Sequence, residues 1–479
     1  MVRITAATAA TLLASASIAS ADLVKRSPQD DASSSHRHRS GHNSATRTSG
    51  SAATKAIRQA AASSINSGSV SLDPSVSSIV ATLTSGTPTS TPSLTLATTF
   101  TAGASNSYIS GAPALPASTA AAPADYPALD VAPPTDSEQA RAWIQQYQSQ
   151  LNGAPNIPVT TDQAACSSNQ ENLNNAEANH WWTCGGYTAD TDITQCPDKN
   201  TWGLSYDDGP SPYTPKLLDY FEKNGDLKST FFVVGSRAIS RPEMLQYEYM
   251  KGHQLSVHTW SHTALTTQSN EAILLEMLWT MKAIKEITGV TPNTMRPPYG
   301  DIDDRVRYVL NIVGLTPIIW TSIGPSQSLD TNDWKIQSGV VSAAQVVSTF
   351  DSILSTVPTL DNGYIVLEHD LYAAAVELAT EVVLPRAQSM TPDQTLVPIV
   401  TCLKKPLGDA YIETNRNLSD GGSAATATAS GKAAVSTGLS GSSSSSGSGG
   451  SSGAVAQSSF SSSSLALLGG ACLGIAALL

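Results

Sequence analysis

The sequence predicts an α/β fold, a parallel sheet or a (β/α) barrel, flanked on both sides by disordered Ser/Thr-rich segments. Three observations predict it. Strand-like and helix-like stretches alternate over about 200 residues in the middle of the chain, the pattern of a parallel sheet covered by helices. All eight tryptophans lie between Trp143 and Trp334, so the material for a core is concentrated there. Outside that region Ser, Thr, Ala, Gly and Pro dominate, a composition that cannot bury enough surface to offset chain entropy. The 479 residues would suit two or three average domains, yet only 14% are charged and 6% aromatic, and one folded domain is expected. The net charge of -12 excludes a nucleic-acid partner, which would need a basic face. No protein partner is evident.

The elements follow in order. Residues 202–206 read as a strand and 214–224 as a helix closed by Gly225. Strands are expected at 229–234 and 254–257. Residues 270–289 give the clearest helix, with Ile273, Met277, Met281 and Ile284 on one stripe. Further strands fall at 293–295, 316–320 and 364–367, with helices at 341–354 and 373–384. In such folds the chemistry sits at the carboxyl ends of the strands.

Both termini read as targeting signals. Arg3, an apolar run from Ile4 to Ile18 and the small-residue site Ala19-Ser20-Ala21 make residues 1–21 a secretory signal peptide. Residues 22–135 are expected to be disordered, and the folded domain to span 136–413. A Ser/Gly-rich stalk follows over 414–464, with Asn417-Leu418-Ser419 as a candidate glycosylation site. Small residues at Ser451, Ser452 and Gly453, a spacer and the apolar tail 465–479 match a GPI-attachment signal. A plain tail anchor is the alternative, although the tail is short against the ~20 residues that span a bilayer. The five cysteines show no zinc-ribbon spacing. Loss of the tail removes Cys472 and leaves Cys166, Cys184, Cys196 and Cys402, an even set for an oxidising compartment. Three connectivities exist. The expected one closes a local loop between Cys184 and Cys196 and ties the domain ends through Cys166 and Cys402.

The polar residues cluster at β–α junctions. Asp207-Asp208-Gly209-Pro210 ends the first strand, and two adjacent acids there would repel unless one meets a cation. By itself this is ordinary turn chemistry. His258 and His262 stand at i and i+4 after a short strand, a common zinc-ligand spacing, whereas His253 reads as structural. Arg296-Pro297-Pro298-Tyr299-Gly300, the 330–334 segment with Asp333-Trp334, and Leu367-Glu368-His369 are each weak singly. Their order along one β–α frame is not.

That ordered set resembles the polysaccharide deacetylase family, or NodB homology domain, over residues 201–403. The resemblance implies a distorted (β/α) barrel and metal-dependent deacetylation of a polysaccharide. It further implies one divalent metal ion, zinc or cobalt, on Asp208, His258 and His262. Asp207 would be the general base and Arg296 its orienter. The Tyr299 backbone N–H would face the oxyanion, and His369, held by Asp333, would protonate the leaving amine. Trp334 would line the acetyl pocket or belong to the core. A longer connection from Trp320 to Asp330 than in many members leaves the substrate contacts there unspecified. A GPI signal implies a eukaryotic cell surface, so chitin in the cell wall is the expected substrate, with an acetyl ester of xylan second. The chain would reach the outer face of the plasma membrane and the wall. Two other classes remain: a catalytically silent wall-binding protein, marked by loss of a ligand or base, and a purely structural wall protein, which would leave the five ordered motifs unexplained.

Overall fold

A computed structural model describes residues 72–83, 94–161, 165–324 and 327–415. The signal peptide, Asn417, Ser451, Ser452, Gly453, Cys472 and the apolar tail lie outside the described residues. Among the described residues no helix is long and apolar enough to cross a membrane.

The first element is α1 (Pro74–Thr82), capped by the Asp73 side chain and started by Pro74, which has no N–H to leave unpaired there. Residues 94–135 then cross the domain surface, burying Ile109 and Leu115 in its core. Tyr126 stacks flat on Trp260, with ring centroids 5.6 Å apart. The expected disorder through residue 135 is therefore wrong for α1 and for 94–135. The composition of the segment is poor in apolar residues on average, but its few large ones borrow a core built by the rest of the chain. Next come α2 (Glu138–Leu151), capped by Ser137, and the short α3 (Gln170–Asn174).

From there strands and helices alternate. They are β1 (Thr201–Gly203), β2 (Ser205–Asp207), α4 (Thr214–Lys223), β3 (Thr230–Val233), α5 (Gly235–Ser240), α6 (Pro242–Met250) and β4 (Gln254–Val257). The long α7 (Asn270–Thr288) starts at Ser269, whose side chain caps the Ala272 N–H, and stops at Gly289 in the left-handed region. Then follow β5 (Thr294–Met295), α8 (Asp304–Ile312), β6 (Thr316–Pro317), α9 (Ala343–Thr356) and β7 (Tyr364–Ile365). A helical run over 373–388, with a π-helical turn inside it, leads to β8 (Thr395–Val397).

All the strand pairs are parallel, in two sheets ordered β7-β1-β8 and β2-β3-β4-β5-β6. The predicted strand 202–206 is two strands, because the chain changes sheet at Leu204. The Leu204 N–H bonds the Val397 carbonyl, while its own carbonyl accepts from Thr230. The two sheets do not form one continuous ladder. Past Pro317 the chain leaves regular pairing, and the seam is bridged by single contacts: Thr321 N–H to the Ile365 carbonyl, and paired backbone at Asp330–Leu367 and Asp207–His369. This is the parallel α/β architecture expected, but the two sheets do not close into the expected barrel: the irregular seam interrupts the ladder. Because every strand runs the same way, Asp207, His258 and Arg296 emerge at one end.

The disulfides correct the expected pairing. Cys166 bonds Cys184 and Cys196 bonds Cys402, with Cα separations of 5.7 and 5.4 Å. Gly185 and Gly186, both with positive φ, bend the chain just after Cys184. Cys196 instead lies beside Gly203 on β1, whose partner strand β8 leads straight into the short helix Ile399–Cys402.

Candidate active site

The site forms where five loops converge, beyond β2, β4, β5, β6 and β7. Among the described residues, Asp208, His258 and His262 are the one group of three whose ligand atoms lie close enough for a metal ion, all within 4.8 Å of one another. Asp208 Oδ1 stands 3.3 Å from His258 Nε2 and 3.0 Å from His262 Nε2. Each histidine uses its other nitrogen elsewhere. His258 Nδ1 donates to the Arg296 carbonyl at 2.7 Å, and His262 Nδ1 bonds the Tyr299 hydroxyl at 3.1 Å. The bond to the Arg296 carbonyl fixes the tautomer of His258 and leaves its Nε2 lone pair facing Asp208.

A metal fits these residues on structural grounds. Asp208 Oδ1 is buried with no hydrogen-bond partner, a costly state for a carboxylate oxygen unless a cation satisfies it. An Asp-His-His set is a ligand set suited to zinc or a related divalent ion.

Beside this group, Asp207 is locked by a buried ion pair. Arg296 Nη1 donates to Asp207 Oδ1 at 2.6 Å, and both side chains are almost wholly buried. Nη2 donates to Ser205 Oγ at 3.2 Å, and the guanidinium lies over the Phe232 ring at 3.9 Å. Burial lowers the Arg296 pKa, which the Asp207 charge offsets. Asp207 Oδ2 remains 3.8 Å from His258 Nε2, on the metal side.

Across the seam, His369 faces Asp333. Its Nδ1 is 2.7 Å from Asp333 Oδ1, and its backbone N–H donates to Oδ2 at 2.9 Å. Burial lowers the imidazole pKa, but the carboxylate of Asp333, helped by Asp208 and Asp207, raises it to about 10. The ring is thus an imidazolium at neutral pH, with Nε2 turned away from Asp333.

The local backbone is unusual in a consistent way. Asp208, Thr259, His262, Tyr299 and Asn332 all have φ between 58 and 79°, the left-handed region that non-glycine residues avoid. Two glycines are required by contact. A Cβ on Gly209 would stand 2.4 Å from the Asp370 carboxylate, and one on Gly300 2.4 Å from the Trp182 ring. These contacts give a physical reason for glycine in each turn.

The structure therefore gathers Asp207, Asp208, His258, His262, Arg296, Tyr299, Asp333 and His369. Trp334 is 38% exposed, so it is not core; its N–H caps Asp333 Oδ1 at 2.8 Å. His253 is buried, accepts the Ser229 N–H, and has a pKa lowered to about 3 by burial, in keeping with a structural role. Sequence reasoning gave no role to Ser205, Phe232 or Glu276. For Glu276 a signal existed, an acid set within an apolar helix face.

Comparison with known proteins places the chain in one family. The polysaccharide deacetylase family model matches residues 194–318. Chitin deacetylase 1 of Cryptococcus neoformans var. grubii is 52% identical over 339 residues, 70% of this chain and 70% of its own. The chain belongs to the polysaccharide deacetylase family. Another relative, the chitin deacetylase of Amylomyces rouxii, is 34% identical over 61% of this chain and 69% of its own. Among solved structures, the chitin deacetylase from Colletotrichum lindemuthianum aligns at 28% identity and a TM-score of 0.40, over 46% of this chain and 95% of that one. The family's deacetylases are metal-dependent hydrolases, and the Asp-His-His group is where this chain can hold the ion.

Proposed function

We propose that the protein is a metal-dependent chitin deacetylase, releasing acetate from N-acetylglucosamine units and leaving chitosan. The observation that carries the reading is a complete set at the carboxyl end of the strands: a three-ligand metal group, a buried carboxylate held by arginine, and a protonated histidine. The substrate follows from the relatives named as chitin deacetylases, at 52% and 34% identity.

A divalent cation on Asp208, His258 and His262, zinc or cobalt, would supply Lewis-acid polarisation of the acetyl carbonyl and acidify water. Asp207 then takes a proton from the attacking water through the carboxylate oxygen that Arg296 leaves uncommitted. Arg296 fixes the orientation of that carboxylate. His369 gives its Nε2 proton to the departing amine, and Asp333 stabilises the imidazolium and holds the ring. The Tyr299 backbone N–H serves the oxyanion. Trp334 forms a partly exposed wall beside the acid.

The termini set the place of action: a secreted chain tethered to the plasma membrane by a GPI anchor near Ser451–Gly453, working on wall chitin. An anchor-cleaving phospholipase releases such a protein from membranes, and an intact Leu479 on the membrane form would refute the anchor. Acetate release from chitin oligomers and from acetylated xylan, each with and without chelator, tests the activity. The expected result is chelator-sensitive release from chitin oligomers. Release from acetylated xylan alone would overturn the substrate, and release unaffected by chelator would overturn the metal.

A further inference from the structure

Glu276 lies on α7 with Leu274, Leu275, Met277 and Leu278 as neighbours, and is fully buried. No cation meets its carboxylate in an ion pair among the described residues. It faces the loop between His258 and His262. Oε2 accepts the backbone N–H groups of Trp260 and Ser261 at 2.8 and 2.9 Å. Oε1 accepts the hydroxyls of Ser261 and Thr263 at 2.6 and 3.0 Å. Four donors on one buried carboxylate offset its loss of water, and charge-assisted bonds of this kind are strong. The loop they hold contains Thr259 and His262 with φ of 64 and 58°, conformations that persist only when the surroundings over-determine them.

We propose that Glu276 is a positioning residue of the metal centre, fixing the separation of the His258 and His262 nitrogens through its set of acceptors. The inference rests on the metal reading above and deepens it. The distances separate acceptor geometry from charge. A glutamine can place its carbonyl oxygen at the Oε2 position, accepting both backbone N–H groups. Its amide then faces two hydroxyls that can turn to accept, since a hydroxyl does both. Alanine offers neither.

The test titrates zinc into the metal-free full chain against a competing chelator, alongside thermal melting of the metal-free protein. Wild type should bind zinc; if it does not, the metal reading fails and this inference with it. Glu276→Ala should weaken zinc binding about 10- to 100-fold, the usual loss when a group supporting a metal ligand is removed. Glu276→Gln should stay close to wild type. A Glu276→Ala protein that melts earlier yet binds zinc as wild type does would make the residue merely structural and overturn the proposal. Equal losses in both variants would assign the effect to charge and overturn it likewise. Should Glu276→Ala not fold, the double variant Ser261→Ala, Thr263→Val leaves α7 intact and removes two donors. It should weaken zinc binding in the same direction, and unchanged affinity there overturns the proposal.

Discussion

Asp333 gives His369 two acceptors, one for the ring and one for the backbone, so the carboxylate fixes both the charge and the pose of the imidazole. The raised pKa of about 10 keeps His369 protonated below that pH, and the acid form is lost as pH rises through it. Replacing Asp333 by Asn removes the main raising influence and leaves burial, which acts the other way, opposed only by the weaker pull of Asp208 and Asp207. The alkaline limb of the kcat/KM profile should therefore move down by about 1–3 pH units. An unmoved limb would show that Asp333 does not set the acid. At this scale the sequence was informative wherever a role needs a particular residue type at a strand end, as with Asp208, His258 and His262. It was silent where the role depends on what a side chain meets. Nothing in the string shows that Ser205 Oγ receives Arg296, or that Glu276 grips a loop more than ten residues earlier.

The element most misjudged from composition is the 94–135 segment, and its best anchor is Tyr126. Its ring stacks on Trp260, lies tilted against Trp279, and carries the Lys282 ammonium 4.1 Å above it. The Trp260 indole N–H in turn donates to the Ala128 carbonyl at 3.1 Å. This segment thus packs against a residue that sits between the two histidines. Tyr126→Ala should cost about 2–3 kcal/mol, less than a fully buried aromatic because the ring is only partly buried, and denaturant unfolding would read it. No measurable loss would mean that the segment merely drapes over the domain. The strands show the converse error. Apolar runs correctly marked 254–257 as a strand, whereas 316–320 keeps only two residues in the regular ladder. Hydrophobicity cannot report a seam where ladder bonds are replaced by single contacts across Thr321.

For the whole molecule, the Cys196–Cys402 bridge joins points 206 residues apart and fastens the segment before β1 to the short helix Ile399–Cys402. Replacing both cysteines with serine should lower stability by about 2–5 kcal/mol, seen as a lower melting temperature. A melting temperature equal to wild type would contradict that role. The even cysteine count was legible in the sequence, but the pairing was not, since bridging depends on Cα separations that only the fold supplies.

The central claim is that Asp208, His258 and His262 hold a metal that Asp207 exploits without binding it. The most direct measurement is bound zinc per chain together with acetate release from chitin oligomers, for His258→Ala and Asp207→Asn beside wild type. The account predicts that His258→Ala loses zinc and activity together. Asp207→Asn should keep its zinc and lose about 100- to 10,000-fold in turnover. Full zinc content in His258→Ala, or more than half of wild-type turnover in Asp207→Asn, would contradict it.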